Sequence, residues 1–137
     1  MPKNSSCPLP LLPEASLRQG FCAQQIGGPD IQYNQVRSLV SVPNTTHVLL
    51  LERGTSSITL LTESTKHTIA TTPGLNHGLA LYDNYIYAST ATTVFRWPYD
   101  GKTMANAGTG EAVIVGMNSD GKGGAPQGHK SRTLAFD

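Results

Sequence analysis

The 137-residue chain has the length of one domain, and its 14 Gly and 9 Pro against 14% charged residues set it apart from helical proteins. Ten Lys and Arg against nine Asp and Glu leave a formal net charge of +1 with no run of like charge, which excludes the basic footprint of a nucleic-acid binder. The longest apolar stretch, Val48-Leu49-Leu50-Leu51, is of strand length and far short of the roughly 20 residues of a membrane span.

Residues 1–20 are punctuated by proline and lack periodicity, so they read as an extended lead-in, ordered only where it lies on something else. They hold no continuous apolar core of the ~7–15 residues that a signal peptide needs. Cys7 and Cys22 are able to pair in an oxidising compartment, although two cysteines define no framework. Asn4-Ser5-Ser6 and Asn44-Thr45-Thr46 are formal N-glycosylation acceptors, triplets that a Ser- and Thr-rich chain also produces by chance. The domain body is expected over residues 21–137. Runs rich in β-formers follow at 21–26, 36–42, 47–52, 57–62, 67–70, 78–82, 85–89, 93–97 and 112–116, each bounded by Gly, Pro, Asn or Asp. Strands this short at this spacing predict an all-β sandwich, barrel or propeller, and no window combines helical periodicity with caps.

An internal repeat narrows the choice. Val36-Arg37-Ser38-Leu39-Val40-Ser41-Val42-Pro43-Asn44 lines up with Asn76-His77-Gly78-Leu79-Ala80-Leu81-Tyr82-Asp83-Asn84, an offset of 40 residues. A second strand follows in each copy, then a small-residue turn, Gly54-Thr55-Ser56 or Thr90-Ala91-Thr92, then a third strand. That period is about one propeller blade. Ser131-Arg132-Thr133-Leu134-Ala135-Phe136 is a third copy of the opening strand, so about two blades and the first strand of a third are expected. Propellers close with about 4–8 blades, and the chain is accordingly expected to be the N-terminal part of a larger β-propeller.

Equivalent positions at the start of successive inner strands lie around one rim of a propeller channel, and here they hold Arg37, His77 and Arg132. A convergent polar cluster in a concave place is the default ligand site, and this one suits an anionic or carbonyl-rich ligand. Other motifs carry less. Gly116-Met117-Asn118-Ser119-Asp120-Gly121-Lys122-Gly123 nearly spells a phosphate loop, but Gly123 stands where Ser or Thr should hold magnesium. The same stretch imitates the start of an EF-hand, yet its twelfth position is His129 instead of Glu. Glu52-Arg53-Gly54 reads as an exposed hairpin corner, and Phe95, Trp97 and Tyr99 with Tyr82, Tyr85 and Tyr87 read as blade packing.

Taken together, Leu75-Asn76-His77-Gly78-Leu79-Ala80-Leu81, Tyr85-Ile86-Tyr87-Ala88-Ser89, Val94-Phe95-Arg96-Trp97-Pro98-Tyr99 and His129-Lys130-Ser131-Arg132-Thr133-Leu134 resemble the soluble quinoprotein glucose/sorbosone dehydrogenase family. The likeness is to the eukaryotic branch with the fungal pyranose dehydrogenases, and it runs from about residue 20 to the end. Val36-Arg37-Ser38-Leu39 and Leu51-Glu52-Arg53-Gly54 look like its first-blade signatures. The resemblance implies a six-bladed propeller, with pyrroloquinoline quinone (PQQ) and calcium at the mouth of the channel. It also implies oxidation of a sugar at the anomeric carbon, with hydride passing to the quinone, an external electron acceptor and an extracellular location.

By the same resemblance His129, in a His-x-x-Arg pattern, is the catalytic base. Neutral imidazole suits proton removal near pH 7. Arg37, Arg53, His77 and Arg132 are the cofactor-binding candidates, placed to neutralise quinone carboxylates or charge on its oxygens. Leu75, Asn76 or His77 stands where bacterial members use a Gln near the substrate. Asn76 is thus the candidate sugar contact, and substrate preference does not transfer. The calcium ligands are expected from blades beyond this chain, which by itself is expected to be inactive. The alternative is a non-enzymatic extracellular propeller that uses the same rim to bind a different anion.

Overall fold

A computed structural model describes residues 26–28, 30–101, 107–117 and 131–137. The lead-in 1–20, both cysteines and most of the run at 21–26 lie outside the described residues. All eight later runs are strands: β1 (Val36–Ser41), β2 (Val48–Glu52), β3 (Ser57–Leu61), β4 (Lys66–Thr71), β5 (Leu79–Tyr82), β6 (Tyr85–Ser89), β7 (Val94–Pro98) and β8 (Glu111–Ile114). They form two four-stranded antiparallel sheets, ordered β1-β2-β3-β4 and β5-β6-β7-β8. No α-helix occurs among the described residues. The chain is all-β and has the form of two propeller blades.

Turn chemistry fixes the hairpins. Asp83 and Asn84 join β5 to β6 with φ of 46° and 61°, two consecutive left-handed residues of the kind a two-residue hairpin requires. The matching β1–β2 turn uses Asn44 at φ 59°, so the repeat aligned true turn positions. Each repeat unit has four strands, one more than the sequence alignment traced. The fourth strands, Lys-His-Thr-Ile-Ala-Thr and Glu-Ala-Val-Ile, share no pattern and follow connections of very different length.

Alternation explains how the sheets stack. Leu49, Leu51, Ile58, Leu60 and Ile69 of the first sheet meet Leu79, Ile86, Ala88 and Trp97 of the second in one core, with Val40, Leu81 and Phe95 at its margin. Even-numbered residues of β1 and odd-numbered residues of β5 therefore face each other. Leu39, on the other face of β1, is 65% exposed, whereas its repeat equivalent Leu79 is 6% exposed. The two leucines occupy the same place in their blades. What differs is that the second blade has a neighbour on that side.

The aromatic group divides between two faces. Trp97 is fully buried between the sheets and donates its indole N–H to the Gly108 carbonyl at 3.0 Å. Tyr82, Tyr85 and Tyr87 lie on the far face of the second sheet. There Phe136 stacks on Tyr82 at 4.5 Å and tilts against Tyr87 at 4.8 Å. Residues 131–137, expected to open another strand, carry no ladder. A strand is defined by its pairing, and no further strand is described for this segment to pair with.

Glu52 corrects an expectation. It is not an exposed corner but 1% exposed, and only Arg53 and Gly54 after it are open to solvent. Its carboxylate accepts from Lys66 Nζ at 2.9 Å, from the Asn34 N–H at 2.7 Å and from the Thr59 hydroxyl at 3.1 Å. A buried carboxylate persists only when paired and hydrogen-bonded, and here three donors from three parts of the chain meet it.

Candidate functional site

Whether the candidate residues share a place depends on how β1 and β5 run. Val42 and Pro43, just past β1, line one cleft of about 400 Å³ with Leu81, Asp83 and Asn84 at the end of β5, so the two strands end together. At the opposite end the Thr72 N–H donates to the Ser56 carbonyl at 3.0 Å, and the Gly74 N–H donates to Ser56 Oγ at 3.3 Å. These bonds tie the turn after β2 to the segment that enters β5. The starts of β1 and β5 accordingly lie at one end of the molecule, as neighbouring blade starts on a rim must.

Arg37 is the second residue of β1 and is exposed at a register shift between Val36 and Ser38. Arg53 opens the 3-10 turn Arg53–Thr55. Its N–H donates to the Gln35 carbonyl at 3.1 Å, and the Gly54 N–H donates to the Asn34 carbonyl at 3.0 Å. A Cβ at Gly54 would come 3.0 Å from that Asn34 oxygen, so the small residue lets the turn close on the segment entering β1. Arg37 and Arg53 therefore share one corner of the first sheet.

His77 and Arg132 share the corresponding corner of the second. Between them the backbone passes very close: a Cβ on Gly78 would fall 2.2 Å from the Arg132 carbonyl oxygen and 2.4 Å from Ser89 Oγ. Only glycine permits that approach. Ser89, fully buried, fixes it by accepting from the Gly78 N–H at 3.0 Å and donating to the Arg132 carbonyl at 2.8 Å. Asn76 is anchored by its N–H to the Ser89 carbonyl at 3.0 Å. One serine thus positions Asn76, Gly78 and Arg132, and with them His77.

Two side-chain nitrogens at this corner are buried without a hydrogen-bond partner among the described residues: His77 Nδ1 and Arg132 Nη2. Arg132 Nη1 donates to the Ser131 carbonyl at 2.9 Å, which leaves the other arm of the guanidinium for something else. An unsatisfied buried polar group costs about 1–3 kcal/mol. A carboxylate or quinone oxygen would relieve that cost with a charge-assisted bond. The donor set thus fits an anionic, carbonyl-bearing ligand.

The pattern does not extend to every candidate. His129 lies outside the described residues, as does most of the Gly116–Gly123 stretch. Among the described residues no group of three His, Cys, Asp or Glu side chains is arranged to hold a metal ion. Sequence reasoning missed Gly78 and Ser89 as positioning residues. The signal was the glycine at a strand start where the other repeat copies have Ser38 and Thr133. Away from the rim, burial first and then Asp100 push the Tyr99 hydroxyl above its ordinary pKa. On the far face, the bond to Glu111 and then one to Tyr87 raise Arg96.

The family described as TrAA12-like matches residues 16–137. No curated protein matches the chain. Among solved structures, the PQQ-bound form of an aldose sugar dehydrogenase from Streptomyces coelicolor is similar, with a TM-score of 0.51 and 23% identity. The similarity covers 63% of this chain and 31% of that one, so the chain spans about a third of the length of this relative. At that identity the likeness bears on the fold. No helix among the described residues is long and apolar enough to cross a membrane.

Proposed function

The chain belongs to the TrAA12-like family, and from that premise we propose that it is part of a quinoprotein sugar dehydrogenase that oxidises an aldose or pyranose at its anomeric carbon. The observation that carries this reading is the pair of buried nitrogens on His77 and Arg132 that have no hydrogen-bond partner among the described residues, brought to one corner by the Gly78–Ser89 contact. The likeness in fold to a PQQ-bound aldose sugar dehydrogenase supports it. In this reading the two blades work within a propeller completed by further blades, outside the cell, and electrons leave to an external acceptor.

Arg132 and His77 would hold the anionic edge of the quinone, with Arg37 and Arg53 adding positive charge at the same end. When bound, PQQ supplies the two-electron acceptor for the hydride. The work of the chain is to orient and to move a proton. His129 accepts the proton of the anomeric hydroxyl, and Asn76 beside the rim contacts the sugar. Arg132 stabilises negative charge without reorganising, because Ser89 already fixes its backbone. Calcium, which the resemblance places beside the quinone, has no fitting ligand group among the described residues, and they are given no part in holding it.

The test is sugar-dependent dye reduction by the full propeller carrying these blades, loaded with PQQ and calcium. His129→Ala is expected to lower kcat by about 10²–10⁴, the usual contribution of a positioned base. Equal rates in both proteins would remove His129 from the mechanism. A complete absence of quinone-dependent activity would leave the rim as the binding site of a non-enzymatic propeller.

A further inference from the structure

We propose that Asn44 is an acceptor for N-linked glycosylation and carries its oligosaccharide at the end of the molecule opposite the Arg/His rim. The triplet Asn44-Thr45-Thr46 is a bare sequence match until its surroundings are known. Those surroundings separate the residues that build the turn from the residues that transfer chemistry needs. Thr45 builds it: its hydroxyl donates to the Val42 carbonyl at 2.8 Å and accepts from the His47 N–H at 3.0 Å. The Val42 N–H closes the hairpin on the His47 carbonyl at 3.0 Å. Neither the Asn44 amide nor the Thr46 hydroxyl has a hydrogen-bond partner among the described residues, and all three residues are exposed.

The backbone is also suitable. Asn44 sits at φ 59°, a left-handed turn position that Asn tolerates better than most residues. It stands at the tip of a two-strand hairpin, so a bulky substituent would project away from both sheets. This tip adjoins Pro43, which lines the cleft at the ends of β1 and β5, the end away from Arg37, Arg53 and His77. A glycan there leaves the rim open to ligand.

The transfer balances simply. The donor is an oligosaccharide joined through its anomeric carbon to a lipid pyrophosphate. A bond forms between Asn44 Nδ2 and that anomeric carbon, and the bond from the carbon to the pyrophosphate oxygen breaks. One amide proton leaves with the pyrophosphate, and no group is oxidised or reduced. The Thr46 hydroxyl, two residues on and unengaged, is the group that such transfer requires beside the amide.

The test expresses the full chain behind a cleavable leader in a eukaryotic host, in an Asn4→Gln background so that Asn44 is the remaining acceptor. Peptide mapping of lumenal and secreted protein is expected to find an oligosaccharide on Asn44, released by peptide N-glycosidase and retained in Thr46→Ser. Asn44→Gln and Thr46→Ala are both expected to abolish it. Thr46→Ala leaves every bond of the turn in place, so its loss of glycan cannot be ascribed to a broken hairpin. An unmodified Asn44 peptide in the lumenal protein, or a mass shift that survives either substitution, would overturn the proposal. In the full propeller protein, quinone binding is expected to be unchanged by Asn44→Gln, which keeps this test separate from that of the rim.

Discussion

Gly78→Ala probes the contact that holds the candidate site together. The added methyl group would meet the Arg132 carbonyl oxygen at 2.2 Å, Ser89 Oγ at 2.4 Å and Leu134 Cγ at 2.9 Å. None of these is the loose end of a long side chain, so residues 131–134 must retreat or the sheet must distort. Overpacking of this kind costs about 1–3 kcal/mol. Loss of the Ser89–Arg132 hydrogen bond adds about 0.5–1.5 kcal/mol, for a total of about 1.5–4.5 kcal/mol. Urea unfolding followed by the fluorescence of Trp97, the one tryptophan, reads this directly. Gly28→Ala, where the nearest atom is 3.9 Å away, is the control, expected to fall within about 0.5 kcal/mol of the parent. Carried in the full propeller protein, the same substitution is expected to lose quinone retention, since Arg132 moves away from His77. Unchanged stability together with unchanged retention would refute the reasoning.

Other substitutions test separate parts of the account. Glu52→Ala should destabilise the fold by about 1–3 kcal/mol, because it leaves the Asn34 N–H and the Thr59 hydroxyl without their acceptor and takes the ion-pair partner from Lys66; an unchanged urea midpoint would show the ion pair to be idle. Trp97→Ala should cost about 3–5 kcal/mol by emptying the core between the sheets, read as a lowered urea midpoint; an unchanged midpoint would mean the sheets do not share a core. The raised Tyr99 pKa means that the fold binds its phenolic proton more tightly than the unfolded chain does. The associated stability is fully present below the ordinary value of 10.0 and is lost as pH rises above it. Tyr99→Phe should flatten that alkaline loss, and an identical pH profile would contradict the assignment.

Strand positions and the repeat were legible in the sequence because each has a local cause. Short β-rich runs ended by turn residues marked the strands, and Asn44 and Asn84 at matching offsets marked equivalent hairpins. Partnership across the fold was not legible. Glu52 looks like a surface charge until Lys66, Asn34 and Thr59 converge on it from other strands and from the segment before β1. Gly78 is one glycine among 14, and its meaning lies in a carbonyl 54 positions away at Arg132. The equality of Leu39 and Leu79 was visible as sequence, but their opposite exposure follows from which blade has a neighbour.

The central claim, that the Arg/His rim receives an anionic quinone, is tested most directly by an equilibrium titration with PQQ followed by absorbance. It uses the full propeller protein and its Arg132→Ala and His77→Ala variants. Saturable binding is expected in the parent. At least a tenfold weakening is expected in each variant, because each removes a partner from a largely desolvated anion. Saturation with equal affinity in all three proteins, or no saturable binding in the parent, would contradict the account.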